Sequence, residues 1–216
     1  IPSELGMLTG LTELQLDENQ LSSIPSELGM LTGLTRLDLY NNRLSSIPSE
    51  IGMLTVLTSL ELDSNQLTSI PSELGMLTGL TVLDLATNQL SSIPSEIGML
   101  TGLRGLGLCS NQLSSIPSLL YSLIDLEILL LDSNQLGGTI PSELGLLTML
   151  TWLDLSNNQL TGTLPSELDW LVSNNYVNGK MKHGLGAHRE YLDYKHSSIL
   201  FFTDVFISHH ILCAVS

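Results

Sequence analysis

Carboxylates recur at one position of this chain. Asp38, Glu61, Asp84 and Asp154 each stand between two leucines. If those leucines mark neighbouring strands, about 4.8 Å apart, then Asp38, Glu61 and Asp84 form a contiguous acidic column. Mutual repulsion in such a column raises the members' pKa values, or the column attracts a cation or a basic peptide. The alternative is that Leu-Asp-Leu simply spells this kind of strand. General acid–base catalysis usually needs more than carboxylates, and residues 1–171 contain neither histidine nor lysine. His183, His188, His196, His209 and His210 all come later, at spacings that fit no structural zinc pattern, and Cys213 stands alone among them. Gly179-Lys180 and Gly184-Leu185-Gly186 lack the rest of a phosphate-binding loop. No catalytic residue, metal site or cofactor is expected.

The elements that would position the acidic column come from a repeat. All eight prolines sit in one phrase, Ile1-Pro2-Ser3-Glu4-Leu5-Gly6, which returns at Ile24, Ile47, Ile70 and Ile93. It comes back more loosely at Ile116, Ile140 and Leu164. Between copies runs a second phrase, such as Leu11-Thr12-Glu13-Leu14-Gln15-Leu16-Asp17-Glu18-Asn19-Gln20-Leu21. Self-similarity at this period marks a stacked solenoid, because one unit cannot bury its own apolar face. Leu14-Gln15-Leu16 and its equivalents alternate with period two, as a half-buried strand does. In the return phrase proline presets φ for a helical first turn, and Ile24, Leu28 and Leu31 fall on one inward face. Gly29 and its equivalents are expected to close that turn in the left-handed region.

The pattern L-x-x-L-x-L-x-x-N-x-L resembles the leucine-rich repeat family over residues 1–171, with asparagines at Asn19, Asn42, Asn65, Asn88, Asn111, Asn134 and Asn158. Five proline spacings of 23 residues resemble Ras-suppressor-like repeats. The last two, of 24 residues, carry an extra glycine in Leu136-Gly137-Gly138-Thr139-Ile140-Pro141 and Leu160-Thr161-Gly162-Thr163-Leu164-Pro165, and are similar to the plant-type L-x-G-x-I-P repeat. The resemblance implies an α/β solenoid, a curved right-handed coil with parallel strands on its concave face and short helical or 3-10 turns on its convex face. Each asparagine then turns the chain out of its strand, its amide bonding the backbone of its own and the neighbouring loop. The asparagine ladder is architecture, not a ligand set.

On that concave face, Val82, Ala86, Gly105, Gly107, Cys109, Ile128, Leu130 and Trp152 are apolar where the family usually places polar groups. Gly105 and Gly107 would leave a dip in the floor, walled by Ile128, Leu130 and Trp152 on one side and Val82 on the other. An exposed apolar patch with an aromatic anchor marks an interface. The expected partner-binding set is Arg36, Asp38, Tyr40, Glu61, Val82, Asp84, Gly105, Gly107, Ile128, Leu130 and Trp152. A rival surface is a stripe of Met7, Met30, Met53, Met76 and Met99 on the convex side.

Residues 1–173 hold 19 acids against Arg36, Arg43 and Arg104. Such a surface repels phosphate backbones and anionic headgroups, so nucleic acid is excluded as a partner. A protein or peptide ligand, basic or neutral, is expected, with no small-molecule cofactor. Membrane attachment follows only if a longer chain carries a span, since Ile199–Ser216 is interrupted by Asp204 and His209-His210. The chain opens at Ile1 in mid-repeat, as a fragment with a truncated N-terminus would. Residues 172–216 leave the repeat, and are read as disordered, as the translation of an unspliced intron opening at Val172-Ser173, or as a genuine cap built on Tyr176, Leu192 or Phe201. Three functions stay open: a non-catalytic interaction module in recognition or signalling, an ectodomain fragment of a receptor-like protein or receptor kinase, and a secreted hydrolase inhibitor. The thiol of Cys109 and the 23-residue repeats point to a cytoplasmic scaffold, the 24-residue repeats to an extracellular or plasma-membrane setting.

Overall fold

The computed structural model describes residues 1–169 and the pair 177–178. Short strands recur once per coil: β1 (Glu13–Gln15), β2 (Arg36–Asp38), β3 (Ser59–Glu61), β4 (Val82–Asp84), β5 (Gly105–Gly107), β6 (Ile128–Leu130), β8 (Trp152–Asp154) and β10 (Val177–Asn178). They form one eight-stranded sheet in which every pair is parallel. β7 (Gly137–Thr139) and β9 (Gln159–Thr161) pair separately in the two glycine-bearing coils. There the added glycines Gly138 and Gly162 have φ of 79° and 83°, a region in which a side chain is strained. β10 extends the sheet one strand past the last sequence repeat. The intron and capping readings of the tail fall on residues outside those described.

Opposite the sheet, each coil carries a 3-10 helix: Ser3–Met7, Ser26–Met30, Ser49–Met53, Ser72–Met76, Ser95–Met99, Ser118–Ser122, Ser142–Leu146 and Ser166–Leu168. Proline sits just before the helix in extended backbone, φ −72° and ψ 148° at Pro25, and its carbonyl accepts the Leu28 N–H at 3.1 Å. It thus launches the turn from outside. The core between the two faces is a stack of leucines, with Leu28, Leu31, Leu34, Leu37 and Leu39 wholly buried and the same positions buried in later coils.

Stacking explains two features of the repeat. Gly29 is not left-handed, contrary to the sequence expectation. A Cβ there would run into the backbone of Glu50 in the next coil, and Gly6, Gly52 and Gly75 meet Glu27, Glu73 and Glu96 in the same way. The glycine lets adjacent helices touch. The left-handed residues instead precede the ladder asparagines: Glu18, Asn41, Ser64, Thr87, Ser110, Ser133 and Asn157 have φ between 51° and 55°. A branched residue such as Thr87 strongly resists that conformation. Its N–H bonds Cys109 O in the next coil at 2.9 Å, so the stack over-determines the strain.

Candidate functional site

The asparagines wire coil to coil. Asn65 Nδ2 donates to Leu39 O at 3.0 Å in the preceding coil and to Leu62 O and Asp63 O, both at 3.1 Å, in its own. Its Oδ1 accepts the Leu44 N–H at 3.0 Å. The same set recurs at Asn42, Asn88, Asn111, Asn134 and Asn158. Asn19 bonds within its own loop, to Leu16 O and Asp17 O. These amides are consumed by the backbone and serve the architecture.

Two registered rows cross that surface. One runs Arg36, Ser59, Val82, Gly105, Ile128, Trp152; the other runs Asp38, Glu61, Asp84, Gly107, Leu130, Asp154. Asp38, Glu61 and Asp84 do stand in a contiguous column. It is not bare: Arg36 bridges its first two members, Nε to Asp38 Oδ1 and Nη2 to Glu61 Oε1, each at 2.9 Å. Gln15 also donates to Asp38 Oδ2 at 3.3 Å. Planar guanidinium suits this double engagement, and a neutralised pair repels little.

Asp84 lies beyond the reach of that arginine. Its Oδ1 accepts the Ala86 N–H at 2.9 Å, while its buried Oδ2 has no hydrogen-bond partner among the described residues. Burial pushes this carboxyl up to about 7, with Asp63 and Glu61 adding repulsion and the Ala86 bond opposing. Desolvation, not the expected mutual repulsion, is the larger cause. Asp63 was missing from the sequence reading. The signal was present, because period two carries Glu61 to Asp63 on the same strand face. Tyr40, next to the cluster, has its hydroxyl pushed up to about 12, chiefly by a hydrogen bond with Asp17.

The apolar half differs from expectation. Val82, Ala86, Cys109 and Leu130 are buried and pack together as a small second cluster, with Ile128 half-buried against it. Strand spacing brings these side chains into mutual contact, so they form packing instead of an open patch. Cys109 is wholly buried and is not a free thiol. The dip at Gly107 is filled: a Cβ there would collide with the Asp84 carboxylate, which leans across the glycine. Trp152 is the large apolar side chain of this face that stays open, 36% exposed. Among the described residues no group of three His, Cys, Asp or Glu could hold a metal, and no helix is long and apolar enough to cross a membrane. The histidines lie outside the described residues.

A parallel sheet of one short strand per coil, an asparagine ladder and 3-10 turns on the opposite side together define a leucine-rich repeat solenoid. The family model described as leucine-rich repeat region matches residues 1–108, and the model described as leucine rich repeat matches residues 125–147 and 149–171. The chain belongs to the leucine-rich repeat family. No curated protein sequence matches it. Among solved structures it is similar to a leucine-rich repeat protein of Leptospira interrogans, 35% identical with a TM-score of 0.72, over 84% of this chain and 51% of that one. It is similar to an internalin of Listeria monocytogenes, 33% identical with a TM-score of 0.70, over 86% and 52%. A third is the Arabidopsis receptor kinase HAESA, solved with the peptide hormone IDA and the co-receptor SERK1, 32% identical with a TM-score of 0.69, over 84% and 35%. The chain therefore spans about half or less of these proteins. The family fold is generally an interaction scaffold, and these neighbours support a protein-interaction module here.

Proposed function

We propose that the chain binds a protein or peptide on the concave face of its sheet, without catalysis, in recognition or signalling. The observation that carries this is the outer surface of β2–β8. Its floor carries Asp38, Glu61, Asp63 and Asp84, buried around the half-buried Arg36, at one end and the open Trp152 at the other. Asp38, Glu61 and Asp63 outnumber Arg36 there, which favours a basic or neutral partner. The ectodomain reading has a specific support: one similar structure is a receptor kinase solved with a peptide hormone. As part of such a receptor, the chain would sense a peptide or another protein. No observation favours the hydrolase-inhibitor reading.

The test compares partners captured by the immobilised chain with those captured by Trp152→Ala. Binding of the captured protein, titrated against both forms, is expected to weaken by about 2 kcal/mol or more, as for an aromatic at an interface centre. Equal affinity moves the interface off this face.

A further inference from the structure

The turn face carries a second organised surface. Each of the first five 3-10 helices holds a glutamate and a methionine three residues apart: Glu4 and Met7, Glu27 and Met30, Glu50 and Met53, Glu73 and Met76, Glu96 and Met99. Three residues are one full turn of a 3-10 helix, so the two side chains share a line on its outer side. Stacking repeats that line from coil to coil and yields two parallel columns, one acidic and one apolar. The methionines are 51% to 74% exposed. Each glutamate accepts a hydrogen bond from the serine before it, and among the described residues none of the five joins an ion pair. The columns stop at the sixth coil, where Leu119 replaces the glutamate and Ser122 the methionine. There the fit also loosens: a Cβ on Gly98 would sit 3.3 Å from Leu119 O, clear of the backbone collision met at Gly75.

We propose that this stripe docks a basic amphipathic α-helix of a partner protein, with the helix's apolar face on the methionines and its Lys or Arg flank along the glutamates. Five coils at about 4.8 Å make a track about 20 Å long, matched by a helix of roughly 13 residues. Methionine is soft enough to accept varied apolar side chains, and the acidic column fixes which flank carries charge. A second copy of this chain fits poorly. A two-fold axis across the stripe sets glutamate against glutamate, and one along it sets glutamate on methionine. An anionic membrane is repelled by the net charge of −15.

The test titrates the full chain with a labelled 14-residue Leu/Lys peptide of amphipathic helical pattern, and with a scrambled peptide of identical composition. The amphipathic peptide is expected to bind at least tenfold tighter. The triple variant Met30→Gln, Met53→Gln, Met76→Gln should lose at least tenfold for that peptide, with no change for the scrambled one. These side chains are exposed, so the melting curve should hold. As a second handle, Glu27→Gln, Glu50→Gln, Glu73→Gln should weaken binding and flatten its salt dependence. Equal binding of both peptides would reduce the effect to bulk charge and overturn the proposal. So would full affinity in the methionine variant, or loss of binding with Trp152→Ala in its place, which would put the peptide on the concave face. A dimer in sedimentation that the methionine variant dissolves would name a second copy as the occupant and overturn it as well.

Discussion

The two faces of the solenoid obey different rules. On the turn face the phrase Ser-Glu-Leu-Gly-Met or a close variant returns in the first five coils, and in the first four of them the glycine admits the backbone of the next coil's glutamate. On the sheet face, registered positions hold Arg36, Ser59, Val82, Gly105, Ile128 and Trp152 in succession, all different. A strand needs only its inward leucine to build the core, so its outward side chains can differ from coil to coil provided they fit their neighbours. Uniformity on one side reflects packing. Variety on the other leaves room for a specific partner, whereas the uniform stripe suits a partner that reads only polarity and charge.

Damage to the stacking should have the largest effect. Asn65→Ala should destabilise the chain by about 4 kcal/mol, since it removes four hydrogen bonds worth about 1 kcal/mol each and strands the buried Leu44 N–H, while the Leu39, Leu62 and Asp63 carbonyls keep bonds from Asn42, Asn88 and the Asn41 N–H. Denaturant unfolding measures this, and a loss under about 1 kcal/mol would mean that water replaces the ladder freely.

On the sheet face, Asp84→Asn should stabilise, by an amount that grows from about pH 4 to pH 7. A carboxyl whose folded pKa is raised holds its proton more tightly when folded. Its ordinary value is near 4 and its folded value about 7. Below pH 4 both states are protonated and there is no penalty. Between pH 4 and 7 the unfolded chain ionises first, so folding loses free energy as pH rises, and above 7 the loss is constant. The full rise corresponds to about 4 kcal/mol; the amide should recover about 3, because it still needs hydrogen-bond partners. Melting curves of both forms at pH 4.5 and pH 8 check it: the gap between them must open with pH.

Two glycines of the turn face should differ by less. Gly75→Ala collides with Glu96 and should lose about 2 kcal/mol. Gly102→Ala meets nothing within 4 Å and should shift stability by less than about 0.5 kcal/mol. Equal melting temperatures would show that the helices do not depend on close contact.

The period, the strand positions, the inward leucines and the asparagine positions are all legible in the order of residues. Each follows from a local pattern repeated many times, and a repeat makes every coil's environment the same as its neighbour's. The same order also placed Asp38, Glu61 and Asp84 in one column, because register is inherited from the period. The tertiary structure alone decided what those side chains do there. Arg36 spans two coils to bridge Asp38 and Glu61, Asp84 leans across Gly107 and keeps its proton to about neutral pH, and Val82, Ala86, Cys109 and Leu130 close over one another. The return-phrase glycines likewise serve a contact with the next coil and not a local turn, while left-handed backbone falls on Ser64 and Thr87, where residue type gives no warning. These are contacts between coils, and their energies depend on distances and burial that only stacking creates.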